Sequence, residues 1–171
     1  HPAYHNYPVS NITKEAAEAY CRWLTEQYNK TKKENSMEVI FRLPTAEEWM
    51  TFSSPLPGHR LPWYGSFPYQ ADQKGEFDQA LANVKVLDYR SQKFNYSFDG
   101  ALYTYKIGSY PSNNLELHDI IGNVAELTSD NKIKGGSWDN TLPECYIDLD
   151  QNYHLPDPRV GFRVIKEVLN P

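Results

Sequence analysis

Apolar positions recur at helical spacing at Ala17, Tyr20, Cys21, Leu24 and Tyr28, which predicts an amphipathic helix. Thr13 is a good N-cap for it, and Glu15 lies in its first turn, where a carboxylate meets the positive end of the helix dipole. The polar run Lys30–Ser36 ends the pattern as a solvated loop. Met37–Leu43 alternates weakly and carries Val39, Ile40 and Phe41, so it predicts a short strand. Thr45-Ala46-Glu47-Glu48 then has the spacing of a capping box, in which a hydroxyl and a carboxylate each satisfy an orphan backbone amide. A second helix starts there, and Pro55 and Pro57 stop it within about three turns. From Ser53 to Ser112 no period is sustained. About sixty residues without regular elements are unusual in a compact domain unless something else, such as a bound metal, organises the loops. The remaining third holds short apolar runs (Ile120–Ile121, Ile133, Gly161–Ile165) between turns. The pattern as a whole predicts two short helices followed by a long meander with few, short strands.

Composition narrows this picture. A chain of 171 residues suits one domain spanning residues 1–171. A hydrophobic fraction of 40% supports a core, and no stretch approaches the roughly 20 apolar residues of a membrane span. The formal charge of −5 argues against a nucleic-acid partner, which normally meets a basic face. Aromatics reach 14%, including 13 Tyr and 4 Trp, which argues against disorder. Two cysteines, Cys21 and Cys145, form no CxxC pair and no zinc ribbon.

The chemistry concentrates at a few places. Asp119, Gly122, Val124 and Glu126 set two carboxylates around a glycine turn that can aim carbonyls inward. Calcium takes six to eight oxygen ligands of these kinds. An ordinary acidic turn fits the same residues, and the spacing is not that of an EF-hand. A second oxygen set joins Asn83 and Val84 with Asp99-Gly100-Ala101, where a plain Asp-Gly turn is the competing reading. Cys21 falls on the apolar face of the first helix, as a small buried hydrophobe would. Cys145 lies in a Pro- and Glu-containing loop that would leave it accessible, and both inert packing and reactivity remain open for it. A reactive thiol needs a base or a metal beside it, and His154 is the nearest histidine in sequence. His1, His5, His59 and His118 show no metal-ligand spacing.

Four patterns occur in order: Pro8-Val9-Ser10 leading into Ala16–Trp23; Arg42-Leu43-Pro44-Thr45-Ala46-Glu47-Glu48-Trp49; Gly122-Asn123-Val124-Ala125-Glu126-Leu127 with Ser129-Asp130; and Lys134-Gly135-Gly136-Ser137-Trp138 closed by Gly161-Phe162-Arg163. Together they resemble the formylglycine-generating enzyme family, also called sulfatase-modifying factors, from about His1 to Ile165. The resemblance implies an α+β fold, a low-regularity C-type-lectin-like arrangement of two helices, a small antiparallel sheet and long loops. The family domain normally begins further upstream, so the resemblance implies a fragment or a variant at the N-terminus.

Position by position, the resemblance implies two calcium ions. One would use the Asn83 and Asp99 side chains with the carbonyls of Val84 and Ala101. The other would use Asp119 and Glu126 with the carbonyls of Gly122 and Val124. The active family holds copper between two cysteines five positions apart and oxidises a substrate cysteine to formylglycine. Cys145 matches the second cysteine, but the first falls on Asn140, whose amide is a poor ligand for Cu(I). The Arg-rich stretch that usually follows is replaced by Tyr146-Ile147-Asp148-Leu149-Asp150. Copper is therefore not expected, and Cys145 would be catalytic only if the chain were a copper-dependent oxidase or a related oxygenase. The expectation is a non-catalytic, calcium-stapled module that binds a protein partner in an extracytoplasmic assembly. Such members occur among bacterial surface lipoproteins, including gliding-motility and secretion components. Carbohydrate binding is a third reading, by analogy of fold alone. Trp23, Trp49 and Trp138 are expected to pack, whereas Tyr4, Tyr7, Trp63, Tyr64, Tyr69 and Tyr153 lie in predicted loops as binding candidates.

Overall fold

A computed structural model describes residues 1–31, 37–54, 58–71, 73, 77–88 and 91–169. Pro55, Pro57 and most of the polar run after the first helix lie outside the described residues.

Helix α1 spans Lys14–Thr31, and the Thr13 hydroxyl accepts from the Ala16 amide at its start. Its buried face is narrower than the sequence predicts. Ala17 and Cys21 are buried, but Tyr20 and Tyr28 are 45% and 39% exposed. Trp23 also departs from expectation, being 53% exposed, with its ring tilted against Tyr20. On its inner side Ala17 and Cys21 pack with Leu43, Leu127 and Val160, and α1 also lies against strand β1, Val39–Arg42. Thr25 fixes that contact, since its hydroxyl accepts from the Phe41 amide at 2.8 Å. Strand β1 pairs antiparallel with the last strand of the chain, β10, Ile165–Val168.

Helix α2 spans Ala46–Ser53 and carries the capping box in full. The Thr45 hydroxyl accepts from the Glu48 amide at 3.1 Å, and the Glu48 carboxylate accepts from the Thr45 amide at 2.8 Å. Trp49 projects from α2 into the larger core with no exposed surface, beside Leu61, Val84, Ile120, Ile121 and Cys145.

The meander holds more order than its sequence shows. Strands β2 (Tyr69–Ala71) and β3 (Phe77–Ala80) form one hairpin. Strands β4 (Val86–Asp88) and β5 (Lys93–Asn95) form another. At three or four residues each, these strands are too short to display a period. A four-stranded sheet closes the fold in the order β8 (Gln151–Asn152), β7 (Lys132–Lys134), β6 (Ala125–Leu127), β9 (Val160–Phe162). Its pairings are antiparallel except β6 with β9, which run parallel. That parallel pair buries Leu127 and Val160 against Ala17 and Cys21 of α1 in a second core cluster. The α+β class with two α-helices and small sheets agrees with the sequence reading. The parallel pair is a departure from a wholly antiparallel sheet, made by the long return of the chain from β8 to β9.

Candidate functional site

The turn from Asp119 to Val124 is where the backbone is most contorted. Asp119 (φ 54°), Gly122 (φ 72°) and Asn123 (φ 59°) all lie in the left-handed region, which costs a side-chain-bearing residue free energy and clusters at functional sites. The surroundings hold it there. Asn123 clasps residue 105, accepting from the Tyr105 amide at 2.9 Å and donating to the Tyr105 carbonyl at 3.1 Å. The Gly122 amide donates to the Gly135 carbonyl, and the Asn123 amide donates to the Asn83 carbonyl. Any Cβ at position 122 would collide with that Asn83 carbonyl, so glycine is required both for its φ and for the close approach. The same contact places the two predicted oxygen sets side by side.

In the first set, Asp99 accepts from the Val84 amide at 2.8 Å and the Ala101 amide at 3.0 Å. Asn83, buried, donates its amide to the Tyr103 carbonyl at 2.8 Å. Burial pushes the Asp99 carboxyl above its ordinary range, against the pull of those two amides. Asn83, Val84, Asp99 and Ala101 are thus brought together, with each Asp99 oxygen engaged by one amide and able to accept again.

In the second set, Asp119, Val124 and Glu126 line one cleft of about 720 Å3, with Tyr7, Val9, Tyr20, Phe162 and Arg163 among its walls. Gly122 sits behind it, against Asn83. Asp119 Oδ2 accepts from the Gly108 amide at 2.7 Å. Its Oδ1 is buried and meets no hydrogen-bond donor among the described residues. An orphaned carboxylate oxygen in such a position is costly and fits a cation. Burial pushes the Asp119 carboxyl above the usual range, partly offset by the Gly108 amide and the Arg163 charge. Glu126 differs. Its carboxylate accepts from Trp49 Nε1 at 2.7 Å and from Arg163 through Nη2 at 2.7 Å and Nε at 3.0 and 3.1 Å. Arg163 Nη2 also donates to the His118 carbonyl at 2.8 Å. Sequence reasoning placed Arg163 and Trp49 in motifs but did not pair them with Glu126, because the contacts span 37 and 77 positions. Among the described residues no three His, Cys, Asp or Glu side chains gather to hold a metal ion.

The Cys145 loop corrects the expectation of an accessible thiol. Cys145 has no exposed surface, because the 3-10 turn Leu142–Cys145 folds it inward against Gly136. Burial first, then the neighbouring Glu144 charge, push its thiol up to about 12. Both cysteines are buried and free. Asn140 is occupied structurally: its side-chain oxygen accepts from the Ser137 amide at 3.0 Å and the Ser137 hydroxyl at 2.9 Å. The acidic stretch that follows is neutralised from within, Asp148 by Arg60 at 2.9 Å and Asp150 by the fully buried Lys134 at 2.8 Å. Beside this loop lies a second cleft of about 780 Å3, walled by Phe67, Tyr69, Phe94, Phe98, Pro143 and Tyr146 with Lys85. Among the binding candidates, Tyr4 and Tyr64 are 64% and 71% exposed, whereas the Tyr153 hydroxyl is tied to the Ile12 carbonyl. No helix among the described residues is long and apolar enough to cross a membrane.

A mixed α+β scaffold with short sheets, long loops and one strained acidic turn is the class this geometry defines. The profile of the sulfatase-modifying factor enzyme 1-like domain matches residues 1–168, and the chain belongs to that family. Among solved structures it is similar to PvdO from Pseudomonas aeruginosa (TM-score 0.67, 18% identity, 96% of this chain and 63% of that one). It is also similar to CarF (TM-score 0.65, 19% identity, 96% and 69%) and to Treponema denticola variable protein 1 (0.56, 18%, 93% and 70%). The chain thus spans less than two thirds of the PvdO length, and at these identities the likeness is one of fold. No curated protein sequence matches the chain.

Proposed function

We propose that this chain is a non-catalytic, calcium-stabilised binding module of the sulfatase-modifying factor family, acting with a protein partner in an extracytoplasmic assembly. The observation that carries the non-catalytic part is at Cys145. A thiol with no exposed surface, its ionisation pushed up to about 12, is poorly suited to bind Cu(I) or attack a substrate. Its expected companion position, Asn140, is committed to holding the Ser137 turn. The calcium part is supported by the buried Asp119 oxygen that has no donor and by the strained turn around it. Calcium there would neutralise the buried charge and brace loops that have little secondary structure. Asn83 and Asp99, with the carbonyls of Val84 and Ala101, would hold a second ion. The aromatic cleft beside the Cys145 loop offers rigid amphipathic anchors to a partner.

Metal analysis of the purified chain, after dialysis against calcium and Cu(I) in turn, tests the reading. Retained calcium with no retained copper is expected. Stoichiometric copper that is lost in Cys145→Ala would overturn it.

A further inference from the structure

Among the described residues that line the aromatic cleft beside the Cys145 loop, only Lys85 is charged. Its main chain is pinned, since its amide donates to the Asn140 carbonyl at 3.0 Å and it bridges to Thr141. The side chain is 16% exposed, yet among the described residues its ammonium meets no hydrogen-bond acceptor. Asp139 Oδ1 stops 3.6 Å away, beyond hydrogen-bond length, while Asp139 Oδ2 accepts from Arg159 at 3.1 Å. Glu144 is committed to the Thr141 amide and hydroxyl. What Lys85 does meet are ring faces, with the Phe94 and Tyr96 centroids at 4.9 and 5.6 Å. A sheltered ammonium with donors to spare is costly, and one anion relieves it. The walls around it are aromatic and open. Phe67 and Phe94 are 62% and 50% exposed, and Tyr69 touches Phe67 and Phe98 with centroids at 5.4 and 5.6 Å. A volume of about 780 Å3 lies within the range of about 300–1,000 Å3 in which ligands are usually held. Arg60, stacked over the Tyr146 ring at 4.1 Å, is tied to Asp148 and does not line the cleft.

A single lysine matches a single negative charge. A phosphate group or a nucleic-acid strand calls for several cations, and this cleft, in a chain of net charge −5, offers one. We propose that the cleft receives a partner segment that sets an aromatic side chain beside a carboxylate, an inference that rests on the reading above of this cleft as the protein partner's seat. The carboxylate meets the Lys85 ammonium, and the ring lies among the aromatic walls. Apolar burial against the rings supplies affinity for many segments, and Lys85 selects among them by charge.

Titration of the isotope-labelled chain with three short peptides, followed by NMR of its amides, tests this. The peptides are acetyl-Gly-Phe-Asp-Phe-Gly-amide and its counterparts with asparagine or lysine at the centre. The aspartate peptide is expected to shift amides of the cleft and to bind about tenfold more tightly than the asparagine peptide, the scale of one charge-assisted hydrogen bond. The lysine peptide is expected to bind most weakly. Lys85→Met keeps the apolar stem and removes the charge, so it should bind the aspartate and asparagine peptides alike, and Lys85→Arg should restore the preference. Phe94→Ala should weaken all three peptides and leave their order unchanged. If Lys85→Met does not fold, the order of the peptides on the parent chain still decides. Equal binding of the three by the parent chain, or an aspartate preference that survives Lys85→Met, would overturn the role of Lys85 and leave the cleft a partner's seat. Tightest binding of the lysine peptide would overturn it as well, by making Asp139 and Glu144 the controlling charges. Shifts absent from the cleft with every peptide would overturn the reading of the cleft itself, and this inference with it.

Discussion

Gly136 carries two independent demands. Its φ of 63° is left-handed, and a Cβ placed there would sit 2.5 Å from Cys145 Sγ. Gly136→Ala is therefore expected to cost about 2–5 kcal/mol, a left-handed penalty plus overpacking. Chemical denaturation with an unchanged slope measures it, and a loss below 1 kcal/mol would show that the Cys145 loop yields easily. Single residues of this kind divide into those whose chemistry was legible and those whose surroundings were not. Thr45 and Glu48 declared their bond through spacing alone, because both partners lie within one helical turn. Cys145 did not. Its loop contains Pro143 and Glu144, which read as a surface segment, and the inward fold of Leu142–Cys145 onto Gly136 buries the sulfur in the larger core cluster. Trp23 erred the other way: a motif position suggested packing, and the ring stands at the surface.

Elements were legible to the extent that their contacts were local. Both α-helices and β1 follow from period and capping, whereas β2 to β5 escaped notice because hairpins of three or four residues leave no period to count. The pairing of β1 with β10 was beyond reach of the sequence for a different reason, joining residues as far apart along the chain as Val39 and Val168. That pairing also sets an electrostatic tie. Arg42 on β1 bonds Glu48 of α2 at 2.7 Å and Glu167 of β10 at 2.8 Å. Bonding first to Arg42 and then to the Thr45 amide holds the Glu48 carboxyl down to about 2. A carboxyl depressed in the folded state adds stability that is present above its unfolded value and fades as the pH falls toward the folded one. For Glu48 the window runs from about 4.5 down to about 2. Glu48→Gln should therefore be less stable than the parent at pH 6, and the gap should close on acidification through that window. The side chain is 39% exposed, so solvent screening keeps the effect modest. Thermal melts of both proteins at a series of pH values measure the gap, and a constant difference down to pH 2 would show that the capping geometry, not the charge, matters.

At the scale of the whole molecule, two core clusters are joined through charged and polar ties. Glu126 connects Trp49 of the larger cluster to Arg163 beside the smaller one. Lys134, fully buried, binds the Leu149 carbonyl and Asp150 while lying 5.6 Å from the Trp49 ring. The candidate oxygen sets were legible as residues but not as neighbours, since the bond from the Asn123 amide to the Asn83 carbonyl spans forty positions of irregular chain. A molecule built this way should feel the removal of a bridging cation throughout, because the Asp119 turn touches residues 83, 105, 108 and 135 at once. Calcium at a hundred times its dissociation constant adds about 2.7 kcal/mol. For a domain of this size each kcal/mol moves the midpoint by roughly 2–4 °C. Chelation should thus lower the thermal midpoint by roughly 5–10 °C, and excess calcium, but not magnesium, should restore it, because magnesium demands a tighter octahedral shell. Scanning calorimetry with and without EGTA is the direct measurement. A midpoint indifferent to EGTA would mean that these loops are held by the protein's own amides and that no calcium braces the Asp119 turn.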